Sequence, residues 1–327
     1  MNTTDHSAAL CTHVAQLVDS FDTVNSTVEH LATTPTAQQL TSEEEAEELK
    51  TYLERISFGS EMLLKRYDSG DALLEPILPR QGVVALVGSS DSGKSSLLRG
   101  LAMAIVSGKE EYIGFKLNAR TRRAIYVSTE DDEASLANLM RRQTALSSNY
   151  DALNYDNLHF IFNTDNLLET IELGLIHRTP DVVIIDAFAD LYTGPLNENN
   201  RVRGFLQAFS QLAVKYQTLF IFLHHTGKRT ESLAPSKHNA IGSQGFEAKM
   251  RLVMELRTDC ERADIRHLCI VKGNYLSEEY KHDSFELRFT SALNFEATGN
   301  RVPFGMLRER DAEKESADAE RLDLIRS

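Results

Sequence analysis

Residues Gly88-Ser89-Ser90-Asp91-Ser92-Gly93-Lys94-Ser95 match the pattern G-x-x-x-x-G-K-[ST] without a mismatch. An apolar run, Val83–Val87, precedes them and a helical pattern, Lys94–Val106, follows. The glycines let the backbone curl so that its N–H groups point inward at phosphate oxygens. The helix beginning near Lys94 adds its positive end. Lys94 can bridge β- and γ-phosphates, and the Ser95 hydroxyl can hold Mg2+. The expected nucleotide site is therefore Gly88, Ser89, Ser90, Asp91, Ser92, Gly93, Lys94, Ser95 and Ser96, with ATP and Mg2+ as cofactors. A chance glycine-rich turn is the competing reading, and the strand-before, helix-after context argues against it.

Three further strand ends carry chemistry. Val182-Val183-Ile184-Ile185 runs into Asp186, where a carboxylate can hold Mg2+ through its water shell. The alternative is an Asp that caps the next helix. Ala124–Ser128 runs through Thr129 into Glu130-Asp131-Asp132. Glu130 at such a tip can orient and deprotonate an attacking water, with Asp131 and Asp132 near the positive end of the next helix. Leu219–Leu223 runs into His224-His225-Thr226-Gly227-Lys228. One imidazole there can contact a γ-phosphate. Metal ligation is the other reading, although no third ligand with suitable spacing is evident.

The elements that must position these groups alternate along the chain. Short apolar runs at Val83–Val87, Ala124–Ser128, His159–Phe162, Val182–Ile185 and Leu219–Leu223 suit buried parallel strands. Helical patterns lie between them at Lys94–Val106, Glu133–Gln143, Leu167–Ile176 and Val202–Tyr216. This order predicts an α/β fold with a mostly parallel twisted sheet and helices on both faces. Met250–Leu256, Ile265–Val271 and Phe285–Phe289, with little helix between, predict added antiparallel strands at the C-terminal end.

Residues 1–40 read as a flexible or weakly helical arm. Residues 41–74 read as a helical extension opened by a capping box at Ser42-Glu43-Glu44-Glu45. Glu75-Pro76-Ile77-Leu78-Pro79 reads as an extended linker, because each Pro biases its predecessor away from helix. The core is placed at 75–300 and a charged helical tail at 301–327.

Composition narrows the class. Hydrophobic residues make up 42% and charged residues 25%, which excludes wholesale disorder and fibrous repeats. No run of 18 apolar residues exists, so no membrane partner is expected. Three cysteines, none in C-x-x-C spacing, fit a reducing cytoplasm. The net charge is −13, but residues 1–80 hold 14 acidic and 5 basic side chains, so most of the acidity is N-terminal. A local basic groove further on is compatible with that distribution.

The four strand-end motifs, in this order, resemble those of the RecA-like ATPases, and among them the plasmid RepA-type hexameric replicative helicases. The resemblance spans roughly residues 75–290, and the double-His motif is its most discriminating part. It implies Glu130 as the base for hydrolysis, Asp186 as the magnesium acid and His225 as the phosphate sensor supported by His224. Two positions depart from the family pattern. Ile241 stands before Gly242-Ser243 where an Arg is frequent, and Asn274 stands in Lys272-Gly273-Asn274 where many relatives have Arg. The cation that completes a neighbouring subunit's site is then expected to be Lys272, with Arg251 next.

The resemblance also implies a homo-oligomeric ring with single-stranded DNA in its channel. The loops that would line the channel are Thr193–Arg203 and Lys228–Gln244, with Arg201, Arg203, Lys228, Arg229 and Lys237 as candidate DNA contacts. Basic loops of this length suit backbone phosphates and sequence-tolerant binding. The expected function is an ATP-driven helicase-like motor. Two alternatives stay open: a non-translocating RecA-type DNA-binding ATPase, and a nucleotide-gated interaction module.

Overall fold

The computed structural model describes residues 50–52, 56–64, 72–145, 152–227, 233–239 and 244–307. The chain divides into two compact units, 1–68 and 69–327. The described part of the first holds a short helix, α1 (Gly59–Leu64), with no buried residue. The expected arm at 1–40, the capping box at Ser42 and the tail beyond residue 307 lie outside the described residues.

The second unit opens with two short strands, β1 (Ala72–Glu75) and β2 (Leu78–Pro79). Strand β3 (Gly82–Gly88) follows and is buried along its whole length. Two more short strands, β4 (Glu111–Tyr112) and β5 (Phe115–Leu117), come next. Then come β6 (Ala124–Ser128), β7 (Leu158–Ile161), β8 (Val182–Asp186), β9 (Leu219–His225) and β10 (Leu252–Thr258). The chain ends its described part with β11 (Ile265–Gly273), β12 (Asp283–Phe289) and β13 (Phe295–Pro303).

Nine of these strands form one sheet in the order β13-β12-β11-β10-β3-β9-β8-β6-β7. Strand β3 lies between β9 and β10, both parallel to it. Strands β9, β8, β6 and β7 continue outward, all parallel. On the other side β11, β12 and β13 extend the sheet as an antiparallel meander. The fold is therefore α/β, with a mostly parallel sheet and added antiparallel strands.

The alternation of side chains along each strand sorts the core into two layers. Val84, Leu86, Tyr126, Ile184, Ile221 and Leu223 face helix α2 (Lys94–Val106). Val83, Val87, Ile125, Val183, Ile185 and Phe222 face the opposite side. Between β6 and β7 comes α3 (Glu133–Thr144). Helix α4 (Leu167–His177) follows, then the single turn α5 (Phe188–Leu191) and α6 (Asn199–Lys215). Helices α4 and α6 cover the second layer, and α7 (Gln244–Lys249) precedes β10. Both sheet faces are covered, which is why the strands read as continuous apolar runs rather than as alternation.

Expectations for two regions require correction. Residues 72–74 are not part of a helical extension, and residues 75–79 are not a linker. They belong to a small sheet in the order β2-β1-β5-β4. Leu73, Leu74, Ile77 and Leu78 are at most 2% exposed within the main core. The prolines shape a β1–β2 hairpin whose apolar side chains dock on that core. The second correction concerns residues 301–303, which the sequence assigns to a helical tail. They complete β13, an edge strand of mostly exposed residues in which Phe295 is the buried one. Such a polar edge strand leaves no apolar run to read, and its polarity discourages pairing with other chains.

Candidate active site

All four motif strands end on the same side of the sheet. Gly88 pairs with His225 across β3 and β9, and Ser128 pairs with Asp186 across β6 and β8. Ligands of open α/β sheets bind outside the carboxyl ends of the strands, so the topology gathers these distant segments at one rim.

The loop between β3 and α2 is curled tightly. Ser92 Oγ donates to the Ser89 carbonyl at 2.9 Å, and the Leu97 N–H donates to the Gly93 carbonyl at 2.9 Å. Gly88 is required by a close approach, since a Cβ there would lie 2.4 Å from the Leu256 carbonyl oxygen. Gly93 has φ of 94°, and a Cβ would lie 2.9 Å from the Phe295 ring. Lys94 is 4% exposed and its Nζ donates to the Ser89 carbonyl at 2.6 Å. Burial lowers the Lys94 pKa to about 8, against the opposing pull of Asp186, Glu130 and Asp91.

Asp186 is 5% exposed. Burial raises its pKa, while the hydroxyls of Tyr126 and Ser95 pull the other way. Its Oδ2 accepts from the Tyr126 hydroxyl, and its Oδ1 is buried with no hydrogen-bond partner. An orphaned carboxylate oxygen near the Ser95 hydroxyl is the donor chemistry a hard oxygen-seeking cation takes. Ser95 and Asp186 therefore fit Mg2+.

Glu130 is exposed at the rim, with Oε1 3.4 Å from His225 Nε2. The two histidines diverge because successive side chains of a strand face opposite ways. His225 turns toward Glu130. His224 is 1% exposed and packs edge-on to Phe188 at 5.2 Å and against Phe246 at 4.9 Å. Asp132 caps α3 through the Ser135 N–H at 2.7 Å, so the acidic run divides into a rim carboxylate, Glu130, and a helix cap.

The candidate channel residues are more dispersed. Arg201 and Arg203 sit in the first turns of α6, which begins at Asn199, and not in a loop. Arg201 pairs with Glu198 at 2.8 Å. Lys228 and Arg229 lie outside the described residues. Lys237 is half-exposed on a short turn, Lys237–Asn239. That turn is tied down by the buried Glu255, which accepts from the Ser236 N–H and from Asn239 Nδ2. Lys237 and Lys272 share one counter-ion, Glu247 Oε1, at 3.8 and 3.2 Å. Lys272 Nζ also donates to the Glu247 carbonyl at 2.7 Å.

Sequence reasoning misses three side chains of the site. Tyr126 holds Asp186. Thr129 Oγ1 accepts from the Ala187 N–H at 2.9 Å and so braces the segment after Asp186. Arg266 Nε donates to the Ser92 carbonyl at 2.9 Å and lies over the Phe289 ring at 5.2 Å, clamping the phosphate loop from the appended strands. The available signals are a hydroxyl-bearing ring inside the Ala124–Ser128 run and an Arg inside the Ile265–Val271 run.

A glycine-lined loop feeding a helix, with carboxylates at the tips of two neighbouring parallel strands, defines a RecA-like P-loop ATPase. The chain belongs to the AAA domain family, whose family model matches residues 53–231. Among solved structures, the ATPase domain of another protein is similar in fold. The match has a TM-score of 0.50 at 13% identity and covers 67% of this chain and 85% of that one. No curated protein matches the chain in sequence. Among the described residues, no helix is long and apolar enough to cross a membrane.

Proposed function

We propose that this protein hydrolyses ATP as a ring-forming motor on single-stranded DNA, in the manner of the RepA-type replicative helicases. The observation that carries the hydrolytic part is the gathering of Lys94, Ser95, Glu130, Asp186 and His225 at one rim of the sheet. In this reading the N–H groups of Gly88 to Ser96 and the end of α2 bind the β- and γ-phosphates. Lys94 exchanges the Ser89 carbonyl for phosphate oxygens, which are stronger, charged acceptors. Glu130 takes a proton from water as its oxygen attacks the γ-phosphorus, the β–γ bridging bond breaks, and ADP and phosphate leave. His225, hydrogen-bonded to Glu130, senses the γ-phosphate. Ser95 and Asp186 would hold Mg2+, which when bound would supply positive charge to offset the negative charge of the phosphates. An open cavity of about 770 Å³, lined in part by Ser90, Asp91, Leu256, Thr258, Arg262 and Arg266, adjoins the loop and has room for ribose and base. Turnover of ATP by the purified chain, dependent on Mg2+, tests this part.

The DNA part rests on Lys237, exposed on its anchored turn, together with Lys228, Arg229, Arg201 and Arg203. Replacing Lys237 and Arg229 together with Ala is expected to weaken single-strand affinity and flatten its dependence on salt, because fewer counterions are released. Nucleotide affinity is expected to stay unchanged. Titrations of labelled oligonucleotide at several salt concentrations measure both slope and affinity, and an unchanged slope would place the DNA path elsewhere.

Completion of the site from a neighbouring subunit is assigned to Lys272. Fingers of this kind are worth on the order of 10³ or more in rate. Lys272→Ala is expected to abolish hydrolysis, and mixing it with Glu130→Gln should restore some, because mixed interfaces pair an intact base with an intact cation. No recovery in well-mixed oligomers would exclude Lys272. One observation favours the non-translocating alternative: Lys272 is held by Glu247 within its own chain. Strand displacement separates the two, since a motor unwinds duplex and a static DNA-binding ATPase does not.

A further inference from the structure

Tyr126 carries a hydroxyl in the middle of a buried strand and is 0% exposed. Across the β6–β8 ladder it pairs with Ile184. Directly paired residues share a face of the sheet, and so do residues two apart. Tyr126, Ile184 and Asp186 therefore project to the same side, and the Tyr126 ring reaches along the strand to the carboxylate. Its hydroxyl donates to Asp186 Oδ2, which commits one of the two oxygens. The other, Oδ1, is buried without a hydrogen-bond partner.

We propose that Tyr126 is a positioning residue for the magnesium site: its hydroxyl fixes the Asp186 carboxylate so that Oδ1 is the oxygen offered to the cation. The proposal rests on the reading of Asp186 as the metal acid. Without this bond the carboxylate keeps the hydroxyl of Ser95 beside it, which in this reading is itself a metal ligand, so the carboxylate is free to turn between its two oxygens. Tyr126 removes that freedom before the cation arrives, as supporting groups do around metal ligands generally. Arg99, 1% exposed on α2, favours the charged carboxylate through its field. Its Nε is fixed on Gln143 at 2.6 Å, and Ser95 is assigned to the cation, which leaves the Tyr126 hydroxyl to set the orientation.

The test uses the full chain and a fluorescent ADP analogue, with affinity measured in Mg2+ and in EDTA. The ratio of the two affinities reports the metal. Tyr126→Phe retains the ring and its packing and removes only the hydroxyl. It is expected to cut the Mg2+ enhancement by about tenfold, the scale of one hydrogen bond to a charged group, with EDTA affinity within about twofold of the parent. Mn2+ binding to the ADP complex, followed by electron paramagnetic resonance, should weaken by the same factor. An unchanged enhancement would overturn the proposal. So would an equal fall in both affinities, which is the signature of lost packing. Asp186→Asn is the control and is expected to abolish the enhancement. If it does not, the metal reading itself fails, and with it the proposal.

Discussion

Glu130→Gln is expected to lower ATP turnover by about 10²- to 10⁴-fold, the usual contribution of a positioned general base. Nucleotide affinity should remain close to that of the parent chain. The amide keeps the size and the hydrogen-bonding reach of the carboxylate but cannot take the proton of water. Glu130 lies at the exposed rim and pairs with His225 at 3.4 Å. The substitution therefore removes little from the folded state, and thermal stability should not change. Single-turnover hydrolysis beside equilibrium binding separates the two effects. Normal turnover by Glu130→Gln would move the base to another carboxylate.

Lys94→Ala is expected to lower nucleotide affinity at least about a hundredfold, the equivalent of two charge-assisted hydrogen bonds to phosphate. The same change should leave the nucleotide-free chain as stable or more so. Lys94 is buried, and burial lowers its pKa to about 8 from an ordinary value of 10.5. The folded chain thus binds fewer protons at this site than the unfolded chain between pH 8 and 10.5. Stability of the nucleotide-free protein should accordingly rise with pH across that window, by the linkage of proton binding to folding. Below about pH 8 both states carry the charge, and the cost of burying it is fully present. Thermal unfolding from about pH 7 to 10.5, in EDTA and without nucleotide, measures the effect. Lys94→Ala should flatten that part of the profile. A parent and variant with parallel profiles would show that Lys94 is solvated in the folded chain.

These two expectations draw on different levels of the molecule. The phosphate loop is legible in the sequence because its chemistry is local. Consecutive backbone N–H groups, two glycines and the first turn of one helix perform it, and all are adjacent in the chain. The inner strands β6, β8 and β9 are legible for a related reason: each is buried on both faces, so each appears as an apolar run with a carboxylate, hydroxyl or imidazole at its tip. Val182–Asp186 and Leu219–His225 form β8 and β9 for that reason. The region at 75–79 is misread from sequence because prolines report only local backbone preference. Whether an extended segment crosses solvent or docks on a core depends on what Leu73, Leu74, Ile77 and Leu78 meet in space.

What the tertiary structure alone decided is pairing. Strand order is not written in the runs themselves, so nothing in the sequence brings Tyr126 to Asp186, 60 residues away, or Arg266 to the Ser92 carbonyl, 174 residues away. The same holds for Glu247, which lies between Lys237 and Lys272 and neutralises both a candidate DNA contact and a candidate partner-directed cation. The two histidines make the distinction within a single motif. The sequence places both at a strand end, and only the pleat of β9 and the aromatic cluster of Phe188 and Phe246 turn His224 into the core and leave His225 beside Glu130. Local chain chemistry determined which groups this protein has for handling a nucleotide. The order of its strands, which the runs do not encode, determined which of those groups meet.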